Sequence, residues 1–482
     1  MEEIKPSYID VLRAPPCAFL CMATLICLFS LAGIFTRPPD MLAAFWPANA
    51  VFLGIMIRYP ILASPAGWLG GIAGYLLAAL FTDDSLLKTG LLTLGNLVGV
   101  GVGYLLYRRL GRDNVRLRHP NAIVYLLLIS MAASFAAGLV GALINPILFN
   151  GRSLHGLGFW FASELVNYMA LLPVLLTLPH AGAIRTWFKA LWLPHVSWAR
   201  VLPLLMFICS LLLAEIVSGP GSLAFPVPAL LWCAVSYSLF TTTLLSLGFT
   251  TLTLLAISGG YLVINHDAQT QYWMFSVRIG IMLIGLTPLT AASIMATRNT
   301  LLRQMEYMAH HDHLTGALNR AGFWPSAQQM LAQLDQQHKP IAVCMLDLDN
   351  FKQLNDNHGH EAGDRALKAF TMAISQGMPG STLLGRLGGE EFALLLPDVP
   401  PSQAWELVDR LRSEVAQLQV IDEAMRPVTI TVSIGLAYRE PGHLNLEQLL
   451  SHADTALYRA KHNGRNRVEW YQDTTCSQEY GR

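Results

Sequence analysis

Charge is what this sequence has least of. Asp, Glu, Lys and Arg together make up 13% of the 482 residues, against 53% hydrophobic types, whereas an ordinary soluble domain carries about 25% charged residues. A chain this apolar, with a mean hydropathy of +0.42, is not soluble throughout. Lys plus Arg (32) equals Asp plus Glu (32), so no net basic charge points to nucleic acid, and none is expected as a partner. Cysteine is equally sparse. Of the seven, Cys17, Cys21, Cys27, Cys209 and Cys233 lie inside apolar runs, Cys344 lies in a strand-like segment and Cys476 lies near the end. That spacing suits neither a disulfide framework nor a zinc site and reads as small buried hydrophobes. His310, His311 and His313 have no further ligand at metal spacing, so they read as helix-end and turn residues. No cleavable signal stands out, because the first apolar run leads directly into others.

What is abundant is long apolar sequence. Runs at about 17–35, 41–58, 61–81, 86–107, 121–144, 156–178, 201–218, 224–243, 244–264 and 273–296 approach the ~20 residues that cross a bilayer. They predict a polytopic membrane domain over 1–296 with about eight to ten transmembrane helices. Arg108, Arg109, Arg112, Arg116 and Arg118 follow the fourth run, Arg185, Lys189 and Arg200 the sixth, and Arg298 and Arg303 the last. The breaks 82–85, 218–222 and 265–271 carry almost no positive charge. The positive-inside rule then places both termini in the cytoplasm of a multi-pass protein. Asn49, Asn96, Glu164, Asn167, Glu215 and Arg278 fall within the spans. Buried polar groups of that kind face a bundle interior or a cavity. They serve helix packing as readily as they serve a ligand, so the pocket they outline has no named occupant.

After Ala296 the pattern changes. Leu301, Leu302, Met305 and Met308 form a short apolar stripe on a helix continuing the last span, which marks 297–312 as a linker and signalling helix. A folded module over 313–472 follows, with a polar tail at 473–482. Helices at about 322–337, 362–376, 402–418 and 446–461 alternate with strands at 341–349, 382–387, 392–396, 428–438 and a closing strand at "RNRVEWY". That order predicts a mostly antiparallel sheet carrying helices. The strand "IAVCMLDLD" delivers Asp347 to its end, and "RLGGEEF" sets Gly388, Gly389, Glu390 and Glu391 at a tight turn. If the strands are neighbours, three carboxylates meet, an arrangement that calls for a cation. Oxygen ligands of this kind suit Mg²⁺ or Mn²⁺ alongside substrate phosphates, and two such ions support phosphoryl-group transfer. Glycines without side chains let a nucleotide come close to the turn.

The segments "DHLTGALNR", "DLDNFKQLNDNHGHEAGD", "RLGGEEFALLLP", "TVSIGLA" and "ADTALYRAKHNGRNRV" resemble, in order and spacing, the motifs of the GGDEF family of bacterial diguanylate cyclases. The resemblance implies an α+β ferredoxin-like fold related to nucleotide cyclases and polymerase palms. It also implies condensation of two GTP into cyclic di-GMP with release of pyrophosphate, by a homodimer that meets through its cytoplasmic domains. Carried over residue by residue, it makes Asp347 and Glu390 catalytic. Asp347, Glu390, Glu391 and the carbonyl of Leu348 become ligands of Mg²⁺ or Mn²⁺, two per active site. Asn355 and Asp364 become guanine contacts, and Phe351, Lys352, Gly388, Gly389, Lys461 and Arg465 complete the substrate site. Pro379 and Thr382 stand where many members carry the Arg and Asp of a product-inhibition site, so none is expected here. "FWPANAVFLGIMIRYP" resembles the MASE class of integral membrane sensor domains, which implies an unknown sensed ligand or protein. Together these features describe a sensor-controlled cyclase in the bacterial inner membrane, in contact with its lipid. The alternative is a membrane sensor or transporter whose cytoplasmic domain binds GTP without turnover.

Overall fold

The computed structural model describes residues 12–36, 43–81, 85–117, 119, 121–179, 182, 184, 198–219, 221–262, 271–422, 424–441 and 444–471. Arg118, Arg185, Lys189, most of the breaks at 82–85 and 265–271, Cys476 and the tail at 473–482 lie outside the described residues. The chain divides into two compact units, Met1–Thr300 and Leu301–Arg482.

The first unit is helical. Its main helices are α1 (Pro15–Ile34), α2 (Ala48–Arg58), α3 (Pro65–Leu80), α4 (Leu86–Tyr107), α5 (Ala122–Phe149), α6 (Ser153–Thr177), α7 (Trp198–Val217), α8 (Pro226–Ser236), α9 (Leu239–Ser258) and α10 (Gln271–His310). Each of the ten apolar runs contains one of these helices. Seven are long and apolar enough to cross a membrane among the described residues, while α2, α3 and α8 are shorter. At about 1.5 Å per residue, the 11 residues of α2 cover only about half of a ~30 Å hydrocarbon core. Against the eight to ten spans expected from hydropathy, seven helices among the described residues have the length and apolarity of a full span. Prolines mark the starts of the short elements: Pro60 and Pro65 open helices on either side of Ser64, and Pro226 opens α8. α6 is the most enclosed helix, with 78% of its most apolar window buried against 17% for α7. It also carries Glu164 and Asn167, both buried.

The second unit centres on a five-stranded sheet of order β2-β3-β1-β6-β7. Its strands are β1 (Ile341–Leu348), β2 (Leu383–Gly388), β3 (Glu391–Pro397), β6 (Val432–Arg439) and β7 (Val468–Trp470), and β4 (Gln419–Ile421) and β5 (Pro427–Thr429) form a separate small hairpin. The expected strand 428–438 is thus two pieces, divided at Ile430 and Thr431. All sheet neighbours are antiparallel except β6 and β7, which are parallel. Helices α11 (Arg320–Gln337), α12 (Phe351–His358), α13 (His360–Gly377), α14 (Pro401–Gln417) and α15 (Leu446–His462) cover both faces.

β1 is buried at all eight positions, and alternation sorts its side chains between two cores. Ala342, Cys344, Leu346 and Leu348 pack with α13 and α14 residues such as Phe370 and Val408. Ile341, Val343 and Met345 pack with Phe323 of α11 and Leu449, Ala453 and Leu457 of α15. The same alternation puts Asp347 on the α15 side. Gly435 in β6 makes that side tight: a Cβ there would stand 2.0 Å from the Ala453 carbonyl oxygen. Only glycine lets α15 settle so low on the sheet.

Candidate active site

Asp347 is the last odd-numbered residue of β1 and lies in register with Glu391 on one side and Ser433 on the other. It is 6% exposed. Its Oδ2 accepts from the Lys461 ammonium of α15 at 2.7 Å. Burial pushes the Asp347 carboxyl up from its ordinary range, Lys461 opposes that through a hydrogen bond and its charge, and Glu390 and Glu391 reinforce it. The groups at this sheet end therefore sense one another electrostatically. Among the described residues, no three His, Cys, Asp or Glu side chains stand together as a ready metal site. Asp347 pairs with Lys461 of α15, and Glu391 lies beside it in register and is exposed. The Asp347, Glu390 and Glu391 carboxylates and the Leu348 carbonyl are hard oxygen donors of the kind a divalent ion takes, and Lys461 supplies positive charge beside Asp347, so the donor set fits.

The turn between β2 and β3 is held from behind. Gly389 has φ +44°, and a Cβ on Gly388 or Gly389 would meet nothing within 4 Å. The two glycines are exposed. Arg386 donates from Nε to the Gly389 carbonyl at 2.8 Å and from Nη1 to Asp312 Oδ1 at 2.8 Å. Asp312 also accepts from the Thr315 amide and hydroxyl at 3.0 and 2.7 Å. Burial raises the Asp312 carboxyl, but these hydrogen bonds outweigh it and the net shift is downward. The Leu318 amide donates to the Leu384 carbonyl and the Arg386 amide to the Leu318 carbonyl, which fastens the 311–319 segment along β2.

Asp349 performs a similar service on the other side. It accepts from Thr431 Oγ1 at 2.7 Å, Ser433 Oγ at 2.6 Å and the Asn466 amide at 3.0 Å, joining the end of β1 to β6 and to the turn that carries Arg465. Asp312, Asp349 and Arg386 were not among the sequence-assigned site residues. All three lie inside the motif segments that carried the family resemblance, which is the signal that could have found them.

The helix pair α12 and α13 supplies the remaining residues. Asn355 Oδ1 is buried without a hydrogen-bond partner, and a Cβ on Gly363 would stand 2.0 Å from it. Asp364 and Lys352 are exposed, as is Arg465, while Phe351 is half-buried. The structure thus brings Asp347 together with Lys461 and sets Glu391 beside Asp347 in register. Asn355 packs against α13 one residue before Asp364. Behind this pair, His358 Nδ1 lies 3.0 Å from Asp422 Oδ2, which also accepts from Arg426 Nε at 2.8 Å.

The polar set in the first unit also comes together. Asn49 Nδ2 donates to Glu164 Oε1 at 2.7 Å and to Asn96 Oδ1 at 3.0 Å, and Asn49 Oδ1 accepts from Tyr75 at 2.5 Å and from Trp46 Nε1 at 3.2 Å. Asn167 Oδ1 accepts from the Trp46 amide. Arg278 donates to Ser163. Glu215, expected with them, is exposed on α7 and outside the cluster.

A sheet whose central strand ends in a buried acid, opposite a glycine turn and beside a lysine, is the working end of a nucleotidyltransferase. The family model for the diguanylate cyclase GGDEF domain matches residues 309–467. The chain is 32% identical to the probable diguanylate cyclase DgcF of Escherichia coli strain K12 over 314 residues, 64% of this chain and 96% of that one. It is 29% identical to the protein of the same name in E. coli O157:H7 over 464 residues, 93% of each chain. The crystal structure of the GGDEF domain of DgcB from Caulobacter crescentus in complex with c-di-GMP matches at 32% identity, covering 34% of this chain and 97% of that one, with a TM-score of 0.33. The chain belongs to the GGDEF family of diguanylate cyclases.

Proposed function

We propose that this protein condenses two GTP molecules into cyclic di-GMP with release of pyrophosphate, under the control of its membrane half. The observation that carries the reading is the Asp347–Lys461 pair at the end of β1, in register with the glycine turn. In the proposed site, Asn355 Oδ1 accepts from a guanine N–H and the Asp364 carboxylate from another. Gly388 and Gly389 leave open space for the nucleotide. Lys352, Lys461 and Arg465 offset the phosphate charge, and Phe351 walls the loop. Asp347, Glu390, Glu391 and the Leu348 carbonyl would hold a divalent cation, Mg²⁺ or Mn²⁺ in the reading preferred here, with two per site. Such ions lower the pKa of an attacking hydroxyl and offset charge on a leaving pyrophosphate.

The 3′-oxygen of one GTP forms a bond to the α-phosphorus of the other as the bond to pyrophosphate breaks, and the hydroxyl proton leaves to solvent. Done twice, this closes the ring. Each domain holds one GTP, so two domains must face each other across a two-fold axis. Exposure of Leu301, Leu302, Met305 and Met308, each 50% or more, supports that stripe of α10 as a contact between two copies. The seven long apolar helices support residence in a membrane, and we assign the bacterial inner membrane with both termini cytoplasmic. The test is direct. Full-length protein in lipid nanodiscs, given GTP with Mg²⁺ or Mn²⁺, should yield cyclic di-GMP and two equivalents of pyrophosphate by chromatography and mass spectrometry. Binding of GTP without product would favour the non-catalytic alternative.

A further inference from the structure

Glu164 makes one hydrogen bond too few. Its Oε1 accepts from Asn49, but Oε2 is buried with no partner, and the residue is 5% exposed. It lines a cavity of about 100 Å³ in the first unit. Ser30, whose hydroxyl is also buried and unpartnered, lines the same cavity. A buried polar group left without a hydrogen bond carries its desolvation penalty uncompensated, and here two orphaned oxygens belong to residues that line one cavity. Asn49 cannot relieve them, because its amide is fully engaged by Trp46, Tyr75, Asn96 and Glu164.

The rest of the wall says what would fit. Trp46, Tyr75, Phe159 and Trp160 line the cavity, and among the described residues no Lys, Arg or His does. The ring faces of aromatic side chains attract cations, most strongly when water is excluded. Arg278 does not supply the missing charge from within: its guanidinium donates to Ser163 and to the Ala43 carbonyl and lies 4.4 Å over the Phe159 ring. No ion pair joins it to Glu164 among the described residues. A dry cavity of ~150 Å³ holds benzene, so this one has room for roughly four non-hydrogen atoms.

We propose that this cavity binds a small organic ammonium ion, its N–H groups donating to Glu164 Oε2 and Ser30 Oγ and its alkyl part lying among the aromatic rings. Occupancy has a route to the rest of the chain. Ala43, Ser163 and Phe159, which also line the cavity, are groups that hold Arg278, and Arg278 lies on α10, the helix that ends in the Leu301–His310 segment. Filling the space beside Glu164 therefore acts on the contacts that Arg278 of α10 makes with the cavity wall. Binding itself does not depend on the cyclase reading, and it is tested without turnover.

The probe is ethylammonium, with ethanol and acetate as neutral and anionic counterparts of similar size, added to the full-length protein in nanodiscs of phosphatidylglycerol alone. Thermal unfolding followed by intrinsic fluorescence should shift upward saturably with ethylammonium and not with the other two. Glu164→Gln should raise the half-saturating concentration at least tenfold, Ser30→Ala severalfold, and Glu215→Gln not at all. Nanodiscs containing phosphatidylethanolamine distinguish the source of the ammonium: a shift without added amine, lost in Glu164→Gln, assigns it to the lipid headgroup, and a shift only with free amine assigns it to a soluble ligand. Equal responses to all three probes, no response in either lipid, or an unchanged response in a folded Glu164→Gln protein would overturn the proposal, the cavity then holding water only. Should Glu164→Gln fail to fold, an unchanged response in Ser30→Ala overturns it equally.

Discussion

Asp347 illustrates how one side chain inherits its environment from strand geometry. Its odd position in β1 directs it to the face that α15 covers, where Lys461 waits at 2.7 Å. Removing the charge while keeping the shape should therefore leave the sheet intact and end the chemistry. Asp347→Asn and Glu390→Gln are expected to lose at least a hundredfold in cyclic di-GMP formation, with unchanged circular dichroism. Substantial metal-dependent turnover in either would remove both from the mechanism. In the proposed site, base choice is assigned to Asn355 and Asp364. Truncating Asp364 to Ala should cost about 1–3 kcal/mol in GTP binding and narrow the preference over ATP, measured by competition binding. Unchanged discrimination would place base recognition elsewhere. Gly363 next to Asp364 has a related duty, since any side chain there would occupy the position of the Asn355 carbonyl oxygen.

Elements here are positioned by charged side chains at their ends. The 311–319 segment is fixed to β2 through Asp312 and Arg386, and the small β4–β5 hairpin is fixed to α12 through Asp422. Asp422 is 1% exposed. The hydrogen bond from His358 and those from the Arg426 backbone and side chain hold its carboxyl well below the usual carboxylate range, against a smaller opposing effect of burial. A group whose pKa is depressed on folding contributes stability that is fully present above its unfolded pKa, about 3.9 for Asp. That contribution is lost as the pH falls through the lower folded value. Asp422→Asn should therefore lower thermal stability at pH 7, and the gap to wild type should close as the pH falls below about 4. Unfolding followed by near-ultraviolet circular dichroism checks this, and a gap that stays constant down to pH 2 would mean that the ion pairs contribute nothing.

At the scale of the whole molecule, the decisive step in the proposed mechanism is the meeting of two copies. The exposed stripe Leu301, Leu302, Met305 and Met308 is too short to pair stably by itself, as helices under ~12–15 residues are marginal in water. It continues a helix anchored in the membrane unit, and a helix pair with two arrangements is something a sensor can bias. A fragment beginning at Thr297 should show activity per molecule that rises steeply with protein concentration. Fusing a strong dimeric coiled coil before His310 in a suitable register should restore activity at low concentration. Specific activity that stays constant into the range where ultracentrifugation finds only monomer would exclude the model.

Much of this was legible in the residues themselves. Apolar run length marked out the membrane half, short apolar runs bounded by turn residues gave β1 and the β2–β3 hairpin, and the resemblance of the motifs to the family suggested roles for Asp347, Glu390, Asn355, Asp364 and Lys461, because these are properties of residues near one another in sequence. Helix ends were less legible from hydropathy: Pro60, Pro65 and Pro226 open helices, and a hydropathy average does not register a missing amide. Nor could the chain order show that Asn49, Asn96 and Glu164, 115 residues apart at the extremes, converge on one amide, or that Asp312 reaches Arg386 across 74 residues. Such pairings depend on which helices pack and in what register, and that is a balance of burial and hydrogen bonding summed over the folded chain. Local sequence determined the chemistry available; tertiary packing decided that Lys461 faces Asp347 and that Glu164 keeps an oxygen free.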